Sequence, residues 1–170
     1  EDPVRLLRAV RLAAKLGLSR PDEPLYLIKS PNSYLDPGAA IRRPADDGKM
    51  VFEGELAIVI GKRATRVATD QALSHVFGYT CANDVSARDW QKDWGGGQWC
   101  RGKSFDTFCP LGPALVLTDE IPNPNALTIK TILNGQTMQD WNTNDMLFDV
   151  PTLIEFLSGS TTLVPGTVIL

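Results

Sequence analysis

The stretch Val51-Phe-Glu-Gly-Glu-Leu-Ala-Ile-Val-Ile60 predicts a buried strand with two acidic side chains at its start. Its second half is apolar and rich in β-branched residues, which favours a strand inside a sheet. Because side chains alternate between the faces of a strand, Glu53 and Glu55 point the same way, with only Gly54 between them. Neighbouring carboxylates repel each other, and a hard divalent cation such as Mg²⁺, Mn²⁺ or Ca²⁺ relieves that repulsion. A solvent-facing pair on an edge strand is an equally good interpretation of this motif alone.

A third acidic residue, Asp84, follows the predicted strand 78–82. An acid at the end of a strand is well placed to reach a neighbouring site. Arg88 and Gln91 come four and seven residues later, so they share its face if this segment is helical. Lys103 precedes a turn rich in aromatic residues and proline. Taken singly, Lys103 is equally well explained as a solvent-exposed lysine in a turn, and Arg88 as a member of a surface ion pair with Asp84 or Asp89. Their spacing alone therefore does not show that they belong to one site.

The pattern of apolar residues predicts a single, mainly β domain over 1–170 with a few helices, which is an α+β class. Strands are predicted at 24–29, 49–61, 78–82, 114–117, 127–133, 136–140 and 164–170, and helices at 4–16, 70–77, 86–92 and 151–158. Asn134-Gly135 is a two-residue turn signal that joins two of these strands in a hairpin. The basic, amphipathic residues 1–20 are interpreted as a helical N-terminal segment that caps the domain, in preference to a targeting signal.

Composition narrows the function classes. The chain has 170 residues, 43% of them hydrophobic, and a net charge of -3, so it can bury a core without disulfides or structural metals. It has neither a basic stripe nor an apolar run of about 20 residues, so we expect no nucleic acid and no membrane as partner. The widely spaced Cys81, Cys100 and Cys109 predict reduced thiols in the cytoplasm or an organellar matrix, with Cys81 and Cys109 packed in the core. The one histidine, His75, is expected to be a surface or packing residue of helix 70–77.

Several segments, in this order, resemble the fumarylacetoacetate hydrolase superfamily. They are the Glu53-Gly-Glu55 strand, Asn83-Asp-Val-Ser-Ala-Arg-Asp89, Gly102-Lys-Ser-Phe-Asp-Thr-Phe-Cys-Pro-Leu-Gly-Pro113, Asn134-Gly-Gln-Thr-Met-Gln-Asp-Trp-Asn-Thr-Asn-Asp-Met146 and Pro165-Gly-Thr-Val-Ile-Leu170. The resemblance runs from about Pro24 to the C-terminus. It is closest to the small single-domain branch of acylpyruvate hydrolases, oxaloacetate decarboxylases or tautomerases, and hydroxymuconate-type isomerases. It implies a mixed β-sandwich roll and a homodimer.

The resemblance also implies roles for individual residues. Glu53, Glu55 and Asp84 would bind the metal ion, Mg²⁺ or alternatively Mn²⁺ or Ca²⁺. Lys103, Arg88 and Gln91 match catalytic positions that line the substrate site, and Lys29, in Leu25-Tyr-Leu-Ile-Lys-Ser-Pro31, matches a substrate-binding lysine near the same pocket. The substrate would be a 2-oxo acid or β-dicarbonyl compound that binds the metal through two oxygens, so that the cation stabilises an enolate as it forms.

Two departures from the family pattern affect the predicted reaction. Many family hydrolases carry a water-activating His-x-x-Glu dyad, where this chain has Leu12-Ala-Ala-Lys15. The chain also ends at Leu170, before a substrate-binding Thr-Gly-Thr-Pro turn and the closing strands, so we expect the catalytic domain to be incomplete.

The predicted function is a divalent-metal-dependent enzyme that cleaves a C–C bond through a metal-stabilised enolate. The cleavage would be acylpyruvate- or fumarylacetoacetate-type hydrolysis or oxaloacetate-type decarboxylation, and the missing dyad counts against hydrolysis. One alternative is an isomerase or tautomerase of a hydroxymuconate-type intermediate in aromatic degradation. The other is a non-catalytic member that binds metal.

Overall fold

The computed structural model describes residues 6–9, 22–45 and 48–170. Its strands are β1 (Leu6–Ala9), β2 (Tyr26–Lys29), β3 (Tyr34–Leu35), β4 (Met50–Val51), β5 (Gly54–Ile60), β6 (Val76–Asn83), β7 (Ser86–Ala87), β8 (Cys109–Leu117), β9 (Thr128–Leu133), β10 (Gln136–Asn142) and β11 (Val168–Ile169). Its helices are α1 (Thr69–Ala72), α2 (Trp99–Lys103) and α3 (Val150–Ser160), with a π-helical turn at Trp90–Trp94. This composition confirms the predicted α+β class. No helix in the described ranges is long and apolar enough to cross a membrane.

Within the described residues, seven strands form one mixed sheet in the order β2-β1-β11-β5-β6-β8-β3. The two edge strands, β2 and β3, are separated in sequence only by residues 30–33. Six strand spacings of about 4.8 Å would separate the two edges by about 29 Å in a flat sheet. The five residue steps from the end of β2 to the start of β3 reach at most about 18 Å when fully extended. The sheet must therefore curl until its edges approach each other, which agrees with the predicted roll.

The two faces of the curled sheet bury different side chains. On β5, Ile58 and Ile60 face α1 and α3, and they share a core with Ala64, Ala72, Val76, Tyr79, Val150, Ile154, Leu157, Leu163 and Ile169. Ala57 faces the other way and packs with Ala82, Cys109, Val168 and Leu170. Glu55 lies two residues before Ala57, so strand alternation turns its side chain toward this second, smaller core.

The predicted N-terminal helix is wrong where the structure describes it. Residues Leu6–Ala9 form β1, which pairs in parallel with β11 and antiparallel with β2. Because β1 lies between two strands, both neighbours hydrogen-bond to its backbone donors and acceptors. These hydrogen bonds outweigh the intrinsic preference of the segment for a helix. The remainder of segment 1–20, including the position expected for the dyad, lies outside the described residues.

Other sequence-based boundaries shift because tertiary pairing decides them. The strand predicted at 49–61 is interrupted at residues 52–53, and the helix predicted at 70–77 ends at His75, since Val76 and Phe77 enter β6. The predicted strand 164–170 shortens to β11, and α2 was not predicted. The prediction that Cys81 is buried is also wrong. Cys81 shares a face of β6 with the buried Tyr79 but lies outside the cluster of core residues that covers it, so Cys81 is exposed, whereas Cys109 is buried as expected.

Candidate metal and substrate site

Three carboxylates converge at one end of the β5–β6 pair. Glu53 directly precedes β5, Glu55 is its second residue, and Asp84 directly follows β6. Because the two strands are antiparallel and Gly54 pairs with Asn83, the start of one lies beside the end of the other. One carboxylate oxygen from each residue lies within 4.8 Å of the others. Three oxygen donors this close together fit a hard divalent cation such as Mg²⁺ or Mn²⁺.

Lys103 points its ammonium group into this cluster. Its Nζ lies 2.6 Å from Glu53 Oε2 and 2.7 Å from Asp84 Oδ2, and its side chain is fully buried. The preceding residue, Gly102, allows α2 to approach closely: a Cβ atom there would lie 2.7 Å from the backbone nitrogen of Gln91 and 2.8 Å from the carbonyl oxygen of Ala87. The Gly-Lys sequence thus brings the lysine to the carboxylates through close backbone packing.

Lys29 reaches the same cluster from the end of β2. Its Nζ donates to Asp84 Oδ1 at 2.7 Å, to the carbonyl oxygen of Val85 at 3.3 Å and to the carbonyl oxygen of Lys103. An ammonium group has three N–H donors, so these protein acceptors account for all of them. The geometry therefore favours a role for Lys29 in holding Asp84 and the end of α2, over the direct substrate contact that the resemblance implies.

Arg88 and Gln91 form the more exposed side of the site. Arg88 Nη2 lies 2.8 Å from Glu53 Oε1, and Nη1 donates to Gln91 Oε1 at 2.6 Å. The predicted shared helical face with Asp84 is wrong, because β7 intervenes and the helical turn begins only after it. Arg88 instead contacts Glu53 and remains 22% exposed, so its guanidinium can meet a ligand from solvent.

The charges of the cluster balance. Three carboxylates (Glu53, Glu55 and Asp84) face three cationic side chains (Lys29, Arg88 and Lys103), so the formal charges sum to zero. Asp84 and Lys103 are fully buried, and burial of such charges is tolerated only when each has a partner. This pairing explains how so many ionised groups occupy a small buried volume.

Two side chains of the β9–β10 hairpin also contribute, and no sequence pattern predicted their contact with Gly54. The Gln139 amide bonds to the backbone of Gly54, accepting from its nitrogen at 2.8 Å and donating to its oxygen at 3.3 Å. Thr131 Oγ1 donates to Gln139 Oε1 at 2.8 Å. The available signals were the Asn134-Gly135 turn and the family-like stretch that contains Gln139, but neither reveals which strand the hairpin meets.

Neither His75 nor Cys109 is suited to act as a catalyst here. His75 precedes Val76, which pairs with Ile60 at the far end of β5, about 20 Å along the strand from Gly54 at about 3.3 Å per residue. Burial raises the pKa of the Cys109 thiol to about 12, and the negative charges of Asp84 and Glu55 add to this shift, so the thiol stays protonated at neutral pH although Lys29 lowers its pKa.

A cleft of about 360 Å³ adjoins the segments that follow the two lysines. It is lined by Asn32, Arg42, Arg43, Pro44, Ser104, Phe105 and Asp106. Asn32 Nδ2 donates to the carbonyl oxygen of Ser104 at 3.1 Å, which ties the two segments together. None of the residues predicted to bind metal or substrate lines this cleft.

Comparison with protein families supports the resemblance. Residues 5–170 match the family model described as fumarylacetoacetate (FAA) hydrolase C-terminal. The chain is 47% identical over 150 residues to oxaloacetate tautomerase fahd2, mitochondrial, from Xenopus laevis, covering 88% of this chain and 47% of that protein. It is 45% identical over 150 residues to human oxaloacetate tautomerase FAHD2A, mitochondrial, covering 88% of this chain and 48% of that protein. The chain thus spans about half the length of the curated relatives it matches.

Solved structures of related sequences have the same fold as this chain. 5-carboxymethyl-2-hydroxymuconate delta-isomerase from Mycobacterium smegmatis superimposes with a TM-score of 0.87 at 39% identity, covering 97% of this chain and 63% of that one. 2-hydroxyhepta-2,4-diene-1,7-dioate isomerase from Mycobacterium marinum superimposes with a TM-score of 0.86 at 39% identity, covering 97% and 61%. Both names denote isomerases.

Proposed function

This chain belongs to the fumarylacetoacetate hydrolase family, and we propose that it interconverts the keto and enol forms of a 2-oxo acid with the help of a divalent cation. The observation that carries the proposal is the convergence of three carboxylates on one point, with the Lys103 and Arg88 side chains against them. The names of the relatives favour isomerisation, which the sequence suggested as an alternative, over the C–C bond cleavage that it suggested first.

Glu53, Glu55 and Asp84 would hold the cation. When bound, a divalent cation draws electron density from the 2-oxo group and so stabilises the negative charge of an enolate. Arg88 can bind a substrate carboxylate through its planar guanidinium, which matches the two oxygens of that group. Lys103 can donate a hydrogen bond to the enolate oxygen, because its ammonium already lies among the carboxylates.

Tautomerisation demands less of these residues than hydrolysis does. It moves one proton between carbon and oxygen of the same molecule, whereas hydrolysis also needs a base that activates water. The only histidine in the sequence is His75, at the far end of β5. Oxaloacetate-type decarboxylation forms the same kind of enolate without an activated water, so it is the second candidate reaction.

We further propose that the protein works as a homodimer on a small 2-oxo acid or dicarbonyl compound, in the cytoplasm or an organellar matrix. Large apolar side chains of the β9–β10 hairpin are exposed, including Ile132, which is 65% accessible, and Met138, which is 49% accessible. Apolar surface of this kind supports an interface. The mitochondrial designation of two relatives supports the organellar location.

The full-length protein, supplied with Mg²⁺ or Mn²⁺, should be assayed in parallel on oxaloacetate, a hydroxymuconate and acetylpyruvate. We expect rapid loss of the enol absorbance of oxaloacetate, abolished by a chelator and by Glu55→Gln. Glu120→Gln is the matched control, because Glu120 is exposed and distant in sequence from the cluster. Efficient acetylpyruvate hydrolysis without tautomerisation would contradict the proposal, as would activity that survives in Glu55→Gln.

A further inference from the structure

We propose that Gln139 is a positioning residue that fixes the separation of Glu53 and Glu55 by clamping the Gly54 peptide between them. The inference rests on the proposed function, in which both carboxylates bind one cation. Gln139 Oε1 accepts a hydrogen bond from Gly54 N at 2.8 Å, and Gln139 Nε2 donates to Gly54 O at 3.3 Å. One side-chain amide thereby bonds both polar groups of a single residue, as a neighbouring strand would.

Gly54 is restrained by its pairing with Asn83 of β6, and Gln139 adds a second restraint from the hairpin. Glycine has the widest range of backbone conformations, and here it separates two residues whose carboxylates must converge. Nothing larger fits, because a Cβ atom on Gly54 would overlap Thr131 Oγ1 and lie 3.1 Å from Gln139 Oε1. The close approach of the hairpin therefore requires glycine at this position, and the hairpin adds to the restraint that β6 provides.

A β-bulge directs Gln139 toward Gly54. Thr137 pairs with Ile132 and Gln139 pairs with Thr131, so Met138 is an extra residue in β10. An extra residue reverses the alternation of side chains along the strand. In a regular ladder Met138 would lie opposite Thr131, and Gln139 would face Lys130 instead.

Thr131 completes the arrangement. Its hydroxyl donates to Gln139 Oε1 at 2.8 Å, so this oxygen accepts two hydrogen bonds, one for each lone pair. Gly54 fixes the orientation of the amide, because its N–H can only donate and its carbonyl oxygen can only accept. Gly54 N–H therefore meets the oxygen of the amide, and Gly54 O meets its nitrogen.

The test compares three variants of the full-length protein. Gln139→Met keeps the length of the side chain and removes both hydrogen-bonding groups, whereas Thr131→Val removes only the supporting hydroxyl. Gln136→Met is the matched control, since Gln136 lies on the same strand and is exposed. Two quantities are measured: the Kd for Mn²⁺ by titration calorimetry, and the hydrogen-exchange rate of the Gly54 amide by NMR without metal.

We expect Gln139→Met to raise the Kd for Mn²⁺ by about 10-fold, the lower end of the effect of removing a hydrogen-bond partner of a metal ligand, because Gln139 bonds to the residue between two ligands and not to a ligand itself. The Gly54 amide should exchange faster in the same variant, while the amides of Leu56 and Ile58 exchange as before. Thr131→Val should also raise the Kd for Mn²⁺ and the exchange rate of the Gly54 amide, but by smaller factors than Gln139→Met. Gln136→Met should change neither. If Gln139→Met does not fold, Gln139→Glu replaces it, because glutamate has the same size but cannot donate to Gly54 O.

The outcomes separate this inference from the proposed function. Wild-type protein that binds no Mn²⁺ would overturn both. Normal wild-type binding together with unchanged affinity in Gln139→Met would overturn the positioning role alone, even if Gly54 exchanges faster, because the contact would then be merely structural. Weaker Mn²⁺ binding without faster Gly54 exchange would also overturn it, since the effect would not pass through Gly54.

Discussion

Replacement of Lys29 by methionine should destabilise the protein strongly, although the residue is not expected to touch substrate. Lys29 is 1% exposed and bonds to Asp84, which is fully buried. Methionine fills a similar volume but leaves Asp84 Oδ1 and two carbonyl oxygens without this donor. Breaking a buried ion pair costs about 3–5 kcal/mol, and we expect the lower end because Lys103 still contacts Asp84 Oδ2. A loss of about 3 kcal/mol corresponds to a Tm lower by about 6–12 °C at this chain length.

The free energy of unfolding is measured by denaturant titration with a chelator present, so that cation binding does not obscure the loss. Lys62→Met is the control, because Lys62 is exposed, and it should stay within about 0.5 kcal/mol of wild type. The Lys29→Met/Asp84→Asn double variant should lose less than the sum of the two single variants, by about 1–3 kcal/mol. A loss below about 1 kcal/mol in Lys29→Met, the value typical of a surface pair, would refute the buried network.

Three further predictions concern single positions. Gly54→Ala should lower the free energy of unfolding by about 1–3 kcal/mol, because the added methyl group overlaps the hairpin. Gly159→Ala should raise it by about 0.5–1 kcal/mol, because a methyl group at this position of α3 meets open space. Denaturant titration of both variants checks the contrast. At pH 8, Cys81 should react with a thiol reagent in the native protein and Cys109 only after unfolding. With a pKa of about 12, Cys109 would be about one part in ten thousand thiolate, and its reaction at the native rate of Cys81 would contradict its burial. His75→Ala should leave oxaloacetate turnover within about twofold of wild type in a steady-state assay, and loss of turnover would show that the imidazole takes part.

The sequence predicted best what depends on local pattern. The Glu-x-Glu spacing predicted that the two carboxylates lie together, and they do, although Glu53 lies just before β5 and not in the strand from which the prediction was argued. The Asn134-Gly135 turn forms with positive φ at both residues, 50° and 78°, as a type I′ hairpin requires. The family motifs selected Asp84 and Lys103, which the structure brings together with those glutamates. Whether this cluster binds a cation stays a prediction that the metal titrations test.

What the sequence missed depends on pairing between distant segments. Leu6–Ala9 has a helical pattern, yet it is a strand because two other strands accept its backbone hydrogen bonds. Lys29 bonds to acceptors of residues 84, 85 and 103, which no local pattern connects to it, whereas the substrate contact that the resemblance implies stays a prediction. The Gln139 contact depends on a one-residue bulge at Met138. The sequence does not reliably indicate which residue of a strand will form a bulge.

The long sequence separations within the site have a consequence for folding kinetics. The bond from Lys29 to Asp84 spans 55 residues, that from Lys29 to Lys103 spans 74, and that from Gly54 to Gln139 spans 85. Such contacts close large loops, so their entropic cost delays them until most of the chain is in place. The hairpin and the β5–β6 pair can form early, but the carboxylates acquire their partners only when the roll closes. The ability to bind a cation would therefore arise in the last phase of folding, and its appearance in stopped-flow refolding would time the completion of the native state.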